Sequence, residues 1–485
     1  MLFNNPVFFI FLIIVTSSLF LGNQKSKKIT LLIASYVFYG YWNWQFTFLL
    51  LWSTLIDYSC GLALDKTGSA GKRKGLLILS ICNNLLILAF FKYFNFFTGS
   101  FAALLHSLGI NVSLSTLNII LPVGISFYTF QTMSYTIDIY RNTLKPTTNF
   151  IDFANFVSFF PQLVAGPIER ASRLLPQMER FNGFVKSGAR GGLTLMLLGY
   201  VKKVLISDNI APLIDDCFAN FATRDSIYLV TGLILFSLQI YFDFSGYSDI
   251  ARGVAKLFGV DLVINFNQPY FSINPVDFWR RWHISLSTWL RDYLFLPVVY
   301  PVMRKIRRAR LYKIKAESWG YGAGMMATMF LGGLWHGASW NFVLWGSLHG
   351  FYLIVYRALP GRKKGVKSLK IRNAGAVFKV VPLYLLVTLT WLPFRAPDIN
   401  TTWQYLKGMV FWTGGIDFSQ VGLVLFLFFI LLLIDLPAYI TDDHLYLLKL
   451  PQWLLNAILF AGFLAVLITM IFHLDAVRPF IYFQF

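Results

Sequence analysis

Charge is scarce in this chain. Only 13% of its 485 residues are Asp, Glu, Lys or Arg, and acidic residues are rarer still, 22 against 42 basic. A soluble globular domain carries about 25% charged residues, so ordinary soluble domains are excluded. Cys60, Cys82 and Cys217 are the only cysteines and lie mostly inside apolar segments, which indicates neither a disulfide framework nor a cysteine-based metal site. The six histidines include no H-E-x-x-H pair to hold a catalytic zinc. GSAGKR, from Gly68, lacks both the spacing of a phosphate loop and the Ser or Thr that follows its lysine. No G-x-S-x-G elbow is present. A zinc hydrolase, a serine-triad esterase and an ATP-driven pump are therefore unsupported, and no metal is expected. The opening MLFNNPVFFIFLIIVTSSLFLG has no basic n-region and no A-x-A site, so it reads as a retained first helix. Repeats and low-complexity runs are missing too, which leaves one membrane domain over 1–485 with a catalytic core at about 118–357.

Apolar residues are what the chain has in abundance. Hydrophobic residues make up 56% and aromatics 18%, and mean hydropathy is positive. Such a composition describes an all-α polytopic membrane protein. A spanning helix needs roughly 20 mostly apolar residues, and about 12 candidates satisfy this, near 6–22, 29–43, 46–64, 75–93, 118–140, 191–207, 227–245, 319–335, 338–357, 376–393, 420–438 and 453–474. Shorter apolar pieces at 97–110 and 151–166 read as interfacial or re-entrant.

The net charge of +20 fits loops that collect Lys and Arg on the cytoplasmic side. Lys25, Lys27 and Lys28 follow the first span, and Lys72, Arg73 and Lys74 follow the third. Arg141 ends the fifth, five basic residues occupy 168–190, and basic runs at 304–315 and 362–372 precede the eighth span and follow the ninth. With 12 spans all of these fall on one side, and both termini face outward. Outer loops such as 390–415 are rich in Trp and Phe, as an interfacial aromatic belt or a docking surface for a partner or glycan requires.

Two histidine blocks stand out. In DFWRRWHISLSTWLRDYLFLP, from Asp277, a helix at 100° per residue gathers Phe278, Trp282, Leu286, Trp289 and Tyr293 on one face. Arg280, His283, Ser287 and Arg291 gather on the other. Charge at membrane depth costs roughly 3 kcal/mol per residue, so this stripe faces water, an anion or protein. It either lines a cytoplasmic funnel or lies on an anionic membrane surface. The second block, GGLWHGASWNFVLWGSLHG, follows a glycine-rich helix with Gly320 and Gly324 in G-x-x-x-G spacing, suited to close helix packing. From Trp319 to Trp335 that helix is about 25 Å long. His336 then falls below the outer surface, walled by Trp335, Trp340 and Trp345. There it is either a functional intramembrane histidine or one bonded to a loop carbonyl. As a functional group it would be a general base. His349 reads as structural.

These blocks, with LVAGPIER (163–170) and FDFSGYSDIARGVAKLFG (242–259), resemble the membrane-bound O-acyltransferase family, above all its bacterial polysaccharide O-acetyltransferase branch. The likeness runs nearly the whole chain. It implies a ring of helices around a transmembrane tunnel, with acyl donor entering from the cytoplasm and acceptor waiting outside. It equates His336 with the family's catalytic histidine and His283 with its second one. It implies acetyl-CoA as donor, an exported polysaccharide such as alginate as acceptor, a periplasmic esterase-like partner and a place in the bacterial inner membrane. Arg280, Arg281 and Arg291 are then candidates to hold the CoA phosphates, with Asn274 and Trp335 as further substrate-binding candidates. Asp243 and Asp249 are candidate orienting groups or, alternatively, interfacial helix caps. The tail RPFIYFQF adds one more expectation: Tyr482 accepts the acetyl group at His336 and passes it to the partner, against the alternative of a plain interfacial anchor. Competing readings keep the fold but acetylate peptidoglycan or D-alanylate teichoic acid, or replace catalysis by polysaccharide flipping.

Overall fold

The computed structural model describes residues 1–112, 116–306, 310–311, 314–360, 374–415, 417–472 and 478–483, and they are overwhelmingly helical. The strands among them are Arg310–Leu311 and Ile314–Lys315, one short antiparallel pair. The expected basic run at 362–372 lies outside the described residues. Among the described residues six helices are long and apolar enough to cross a membrane: Gln45–Lys66, Ala70–Ser107, Ser226–Leu257, Val377–Arg395, Phe418–Thr441 and Gln452–Phe472. The chain is a multi-pass membrane protein.

Most other segments expected to span are helices as well, but shorter or more polar, including Gln24–Gly40, Ile125–Tyr140, Lys186–Tyr200, Ala316–His336 and Trp340–Ala358. Ile125–Tyr140 shows why hydropathy alone misjudges them. It buries Ser126, Thr129, Gln131, Thr132, Ser134 and Thr136, side chains that protein neighbours satisfy and lipid cannot. Two expected boundaries also change. The segments at 75–93 and 97–110 form one continuous rod from Ala70 to Ser107, carried through the π-helical turn Ala89–Tyr93. The span expected at 227–245 runs on to Leu257.

The chain forms two compact units. One comprises Met1–Leu197, Tyr247–Val263 and Met470–Pro479. Its interior is clasped by polar side chains: the Asp57 carboxylate accepts from Ser80 Oγ (2.5 Å) and Asn84 Nδ2 (2.8 Å), joining Gln45–Lys66 to Ala70–Leu88. The Ile125–Tyr140 helix joins the clasp through the Thr136 hydroxyl, 2.9 Å from Ser80 Oγ. Lys28 and Asp152 form a buried ion pair at 2.6 Å. Gly61 is required here, because a Cβ would stand 2.6 Å from the Tyr135 ring.

The second unit comprises Leu198–Gly246, Ile264–Thr469 and Phe480–Phe485. Its core is aromatic, with Trp282, Trp345 and Trp391 fully buried and in mutual contact through Trp391. Two glycines let Ala316–His336 and Trp340–Ala358 lie against each other. A Cβ on Gly333 would meet the Phe342 carbonyl at 2.1 Å, and one on Gly346 would meet the Met329 carbonyl at 2.0 Å. The expected Gly320 and Gly324 pair serves a different neighbour, Leu296–Lys305 and the turn before it, through Val299, Met303 and Phe295.

Candidate active site

The single helix expected from Asp277 to Pro297 is broken. Pro275–Arg281 ends, Ile284–Leu290 begins, and a π-helical turn Arg291–Phe295 leads into Leu296–Lys305. His283 stands at the break in the left-handed region, φ +42°. Such a backbone persists in a non-glycine residue only when its surroundings hold it. Here the extended segment before the helix does so: Ile284 N donates to Asn265 O (2.9 Å) and Asn267 N to Arg281 O (2.9 Å). The break turns the His283 ring away from the Arg280 stripe, and the residue is fully buried.

Asn265 also defines the chemistry of that ring. Its side-chain oxygen accepts from the backbone N–H of Ser285 (3.3 Å) and from Ser285 Oγ (2.9 Å), and lies 3.0 Å from His283 Nδ1. A backbone N–H can only donate, so the atom facing His283 is the amide oxygen. In the neutral ring Nδ1 therefore carries the proton and Nε2 the lone pair. Sequence reading missed Asn265, since an asparagine in a loop some 20 residues upstream carries no local signal.

His336 ends Ala316–His336 and is buried. Gly337 follows in extended conformation, where a Cβ would strike the Phe342 ring at 2.1 Å. Ser339 then caps Trp340–Ala358, its side chain accepting from Asn341 N. Around the His336 ring lie Trp345, Trp335 and Phe394, with centroids at 4.9, 5.0 and 5.5 Å. The His283 ring is 6.4 Å away.

Tyr482 completes the group. Its ring lies 5.2 Å from His336 and 5.8 Å from Phe394, and its hydroxyl has no hydrogen-bond partner among the described residues. Phe244 bridges this side of the site, 4.6 Å from the His283 ring and 4.7 Å from that of Tyr482. His336 also lines a cavity of about 390 Å³, together with Arg280, Ser287, Arg291, Tyr321 and Trp345. That volume lies in the range of small-molecule sites, about 300–1,000 Å³. Arg291 meets solvent and pairs with Asp292 at 2.6 Å.

The other expected site residues lie elsewhere. Arg281 is buried and occupied by Asp277 (3.2 Å) and the Asn267 carbonyl (3.1 Å), so it does not line the cavity. Asn274 caps Pro275–Arg281, accepting from Asp277 N at 2.9 Å. Asp243 is no helix cap; it sits mid-helix and buried in Ser226–Leu257. Asp249 pairs with Arg252 at 3.1 Å in the first unit. His349 is structural, buried with Nε2 3.0 Å from the Thr390 hydroxyl. No cluster of metal-binding side chains occurs among the described residues.

Two buried histidines thus stand together, and one of them, His336, both lines a ligand-sized cavity and lies beside the ring of Tyr482. The family model of MBOAT, the membrane-bound O-acyltransferase family, matches residues 31–362. The chain belongs to that family and is an acyltransferase. It is 40% identical over 417 residues to "Probable alginate O-acetylase AlgI" of Pseudomonas aeruginosa, covering 84% of this chain and 75% of that protein. The peptidoglycan O-acetyltransferase of Helicobacter pylori is 34% identical over 444 residues, covering 84% and 80%. The teichoic acid D-alanyltransferase of Streptococcus thermophilus is 28% identical over 269 residues, covering 53% and 61%.

Proposed function

We propose that this protein is an inner-membrane O-acetyltransferase that takes acetyl from cytoplasmic acetyl-CoA and delivers it to an exported polysaccharide of the alginate kind. One observation carries the reading: His336 both lines the cavity and meets the Tyr482 ring, 5.2 Å away. The thioester occupies the apolar cavity, with Arg280 and Arg291 near the CoA phosphates. His336 takes the phenolic proton of Tyr482 as general base. The phenolate oxygen attacks the acetyl carbonyl and the C–S bond breaks. The CoA thiolate leaves and takes the proton back from His336. Trp335 walls the acyl end, and His283, oriented by Asn265, positions the donor. A hydroxyl of an esterase-like periplasmic partner, or of the glycan itself, then attacks the tyrosyl ester and restores the phenol. Covalent relay divides one transfer across the membrane into two shorter ones.

The test uses purified protein in detergent with radiolabelled acetyl-CoA, comparing wild type, His336→Ala and Tyr482→Phe. Covalent label on wild type and on neither variant is the expected result. Label lost only in His336→Ala retains the enzyme and removes Tyr482 as acceptor. If wild type transfers nothing even with partner and glycan supplied, acetyl-CoA is not the donor. Peptidoglycan O-acetylation and teichoic acid D-alanylation, the activities in the names of the Helicobacter and Streptococcus relatives, are then the alternatives to assay.

A further inference from the structure

Tyr482 reaches His336 because something holds the short segment that bears it. Ser226–Leu257 supplies the holders from two adjacent residues. Phe244 packs on the rings of Phe480 (5.0 Å) and Tyr482 (4.7 Å), which stack on each other. Asp243 takes the main chain between them: its Oδ2 accepts the backbone N–H of Ile481 at 2.8 Å.

A buried carboxylate is costly unless compensated. Asp243 is compensated on its other oxygen, where Oδ1 accepts from Lys203 Nζ and, at 3.4 Å, from Ser207 Oγ. Lys203 also pairs with Asp208 at 2.9 Å. Gly246 lets the two backbones approach closely, because a Cβ there would stand 2.9 Å from the main-chain nitrogen of Lys203 and 2.7 Å from the Gly199 carbonyl. One lysine thus bonds both Asp243 and Asp208, while the second oxygen of Asp243 is turned to the Ile481 N–H.

We infer that Asp243, compensated by Lys203, is a positioning residue that seats the 480–482 segment by its main chain and so delivers the Tyr482 hydroxyl to His336. This deepens the tyrosine relay and rests on it. Recognition of a backbone N–H sets the register of the segment whatever its side chains, while Phe244 selects aromatic rings on either side. Asp243 touches no reacting atom.

Two variants test the seat. Asp243→Asn keeps the shape but offers one acceptor oxygen to the three donors Lys203, Ser207 and Ile481. Ile481→Pro removes the N–H itself and leaves Asp243 and Lys203 untouched. Residue 481 opens the turn Ile481–Phe483, where proline's fixed φ is tolerated. The first readout is hydrogen exchange of the other amides of the 478–485 segment by mass spectrometry, which reports whether the segment is seated without any chemistry. Exchange at least tenfold faster in both variants is expected. The second readout is the single-turnover labelling of Tyr482 from acetyl-CoA, where a tenfold or greater fall in rate is expected with an unchanged acetyl-CoA KM. Unprotected wild-type segment, or protection and labelling unaltered in Ile481→Pro, overturns the seat. A protected segment that loses protection in both variants, in a protein whose Tyr482 never acquires label, upholds the seat and sinks the relay alone.

Discussion

Single side chains in this molecule are governed by who supplies the proton. Asn265 shows it at the site, where one amide oxygen, its identity fixed by the Ser285 N–H, dictates which nitrogen of His283 is basic. Glu169 shows it in the first unit. It lies between Phe160–Leu163 and Ala171–Glu179, fully buried, with Oε1 accepting from Val263 N at 2.5 Å. Burial pushes its carboxyl up to about 7, against the pull of that N–H and of Arg173. An unfolded glutamate titrates near 4.3. Between those values the folded chain keeps a proton that the unfolded chain has released, so this group's contribution to stability falls as pH rises from about 4 to about 7, then levels off. Glutamine has no proton to lose. Glu169→Gln is therefore expected to gain thermal stability relative to wild type from pH 5 to pH 8. Detergent melting curves at both pH values measure it, and an equal difference at the two would contradict the protonated Glu169.

At the scale of elements, helix packing decides where His336 sits. The Gly346 backbone lies so close to the Met329 carbonyl that a single methyl group would stand 2.0 Å from it. Gly346→Ala is expected to push Trp340–Ala358 off Ala316–His336 and destabilise the protein by about 1–3 kcal/mol, with activity falling as His336 moves. Gly322 is the control. It lies in the same helix as His336 with nothing within 4 Å of a Cβ, so Gly322→Ala is expected to be neutral or stabilising, as helix propensity dictates. Equal melting temperatures for the two variants would refute the packing argument. These elements also mark what a sequence discloses. Long apolar runs, the glycine pair 320/324 and the two histidine blocks are local patterns, and all are legible. The contact between Gly333 and Gly346 spans a turn and two helices, so no fixed spacing announces it. The break at His283 was hidden for the same reason: its residues fit one helical period, and backbone bonds to Asn265 and Asn267 override that period. Arg281 read as a ligand candidate because its burial is not local information: the i,i+4 spacing to Asp277 is visible in the sequence, but not that the pair lies in the interior.

Across the whole molecule, the excess of 42 basic over 22 acidic residues gives a general attraction for anions, which says nothing about which arginine meets a substrate. The cavity narrows that choice. Arg280 and Arg291 line it with His336, and Arg281 does not. If the donor is a CoA thioester, its phosphates engage those two guanidinium groups while its acetyl-pantetheine arm fills the apolar remainder. A charge-assisted hydrogen bond contributes about 1.5–3 kcal/mol, roughly tenfold to a hundredfold in affinity. Arg280→Ala is therefore expected to raise the KM for acetyl-CoA by about tenfold or more, with kcat little changed, since phosphate contacts act equally in ground and transition states. Acetyl-pantetheine, which lacks the phosphates, is expected to be a poorer substrate of wild type whose KM the substitution leaves alone. Comparing both donors on wild type, Arg280→Ala and Arg291→Ala separates a phosphate contact from a general loss of packing. A KM that rises in parallel for the two donors would assign Arg280 to the cavity wall and place the CoA phosphates elsewhere.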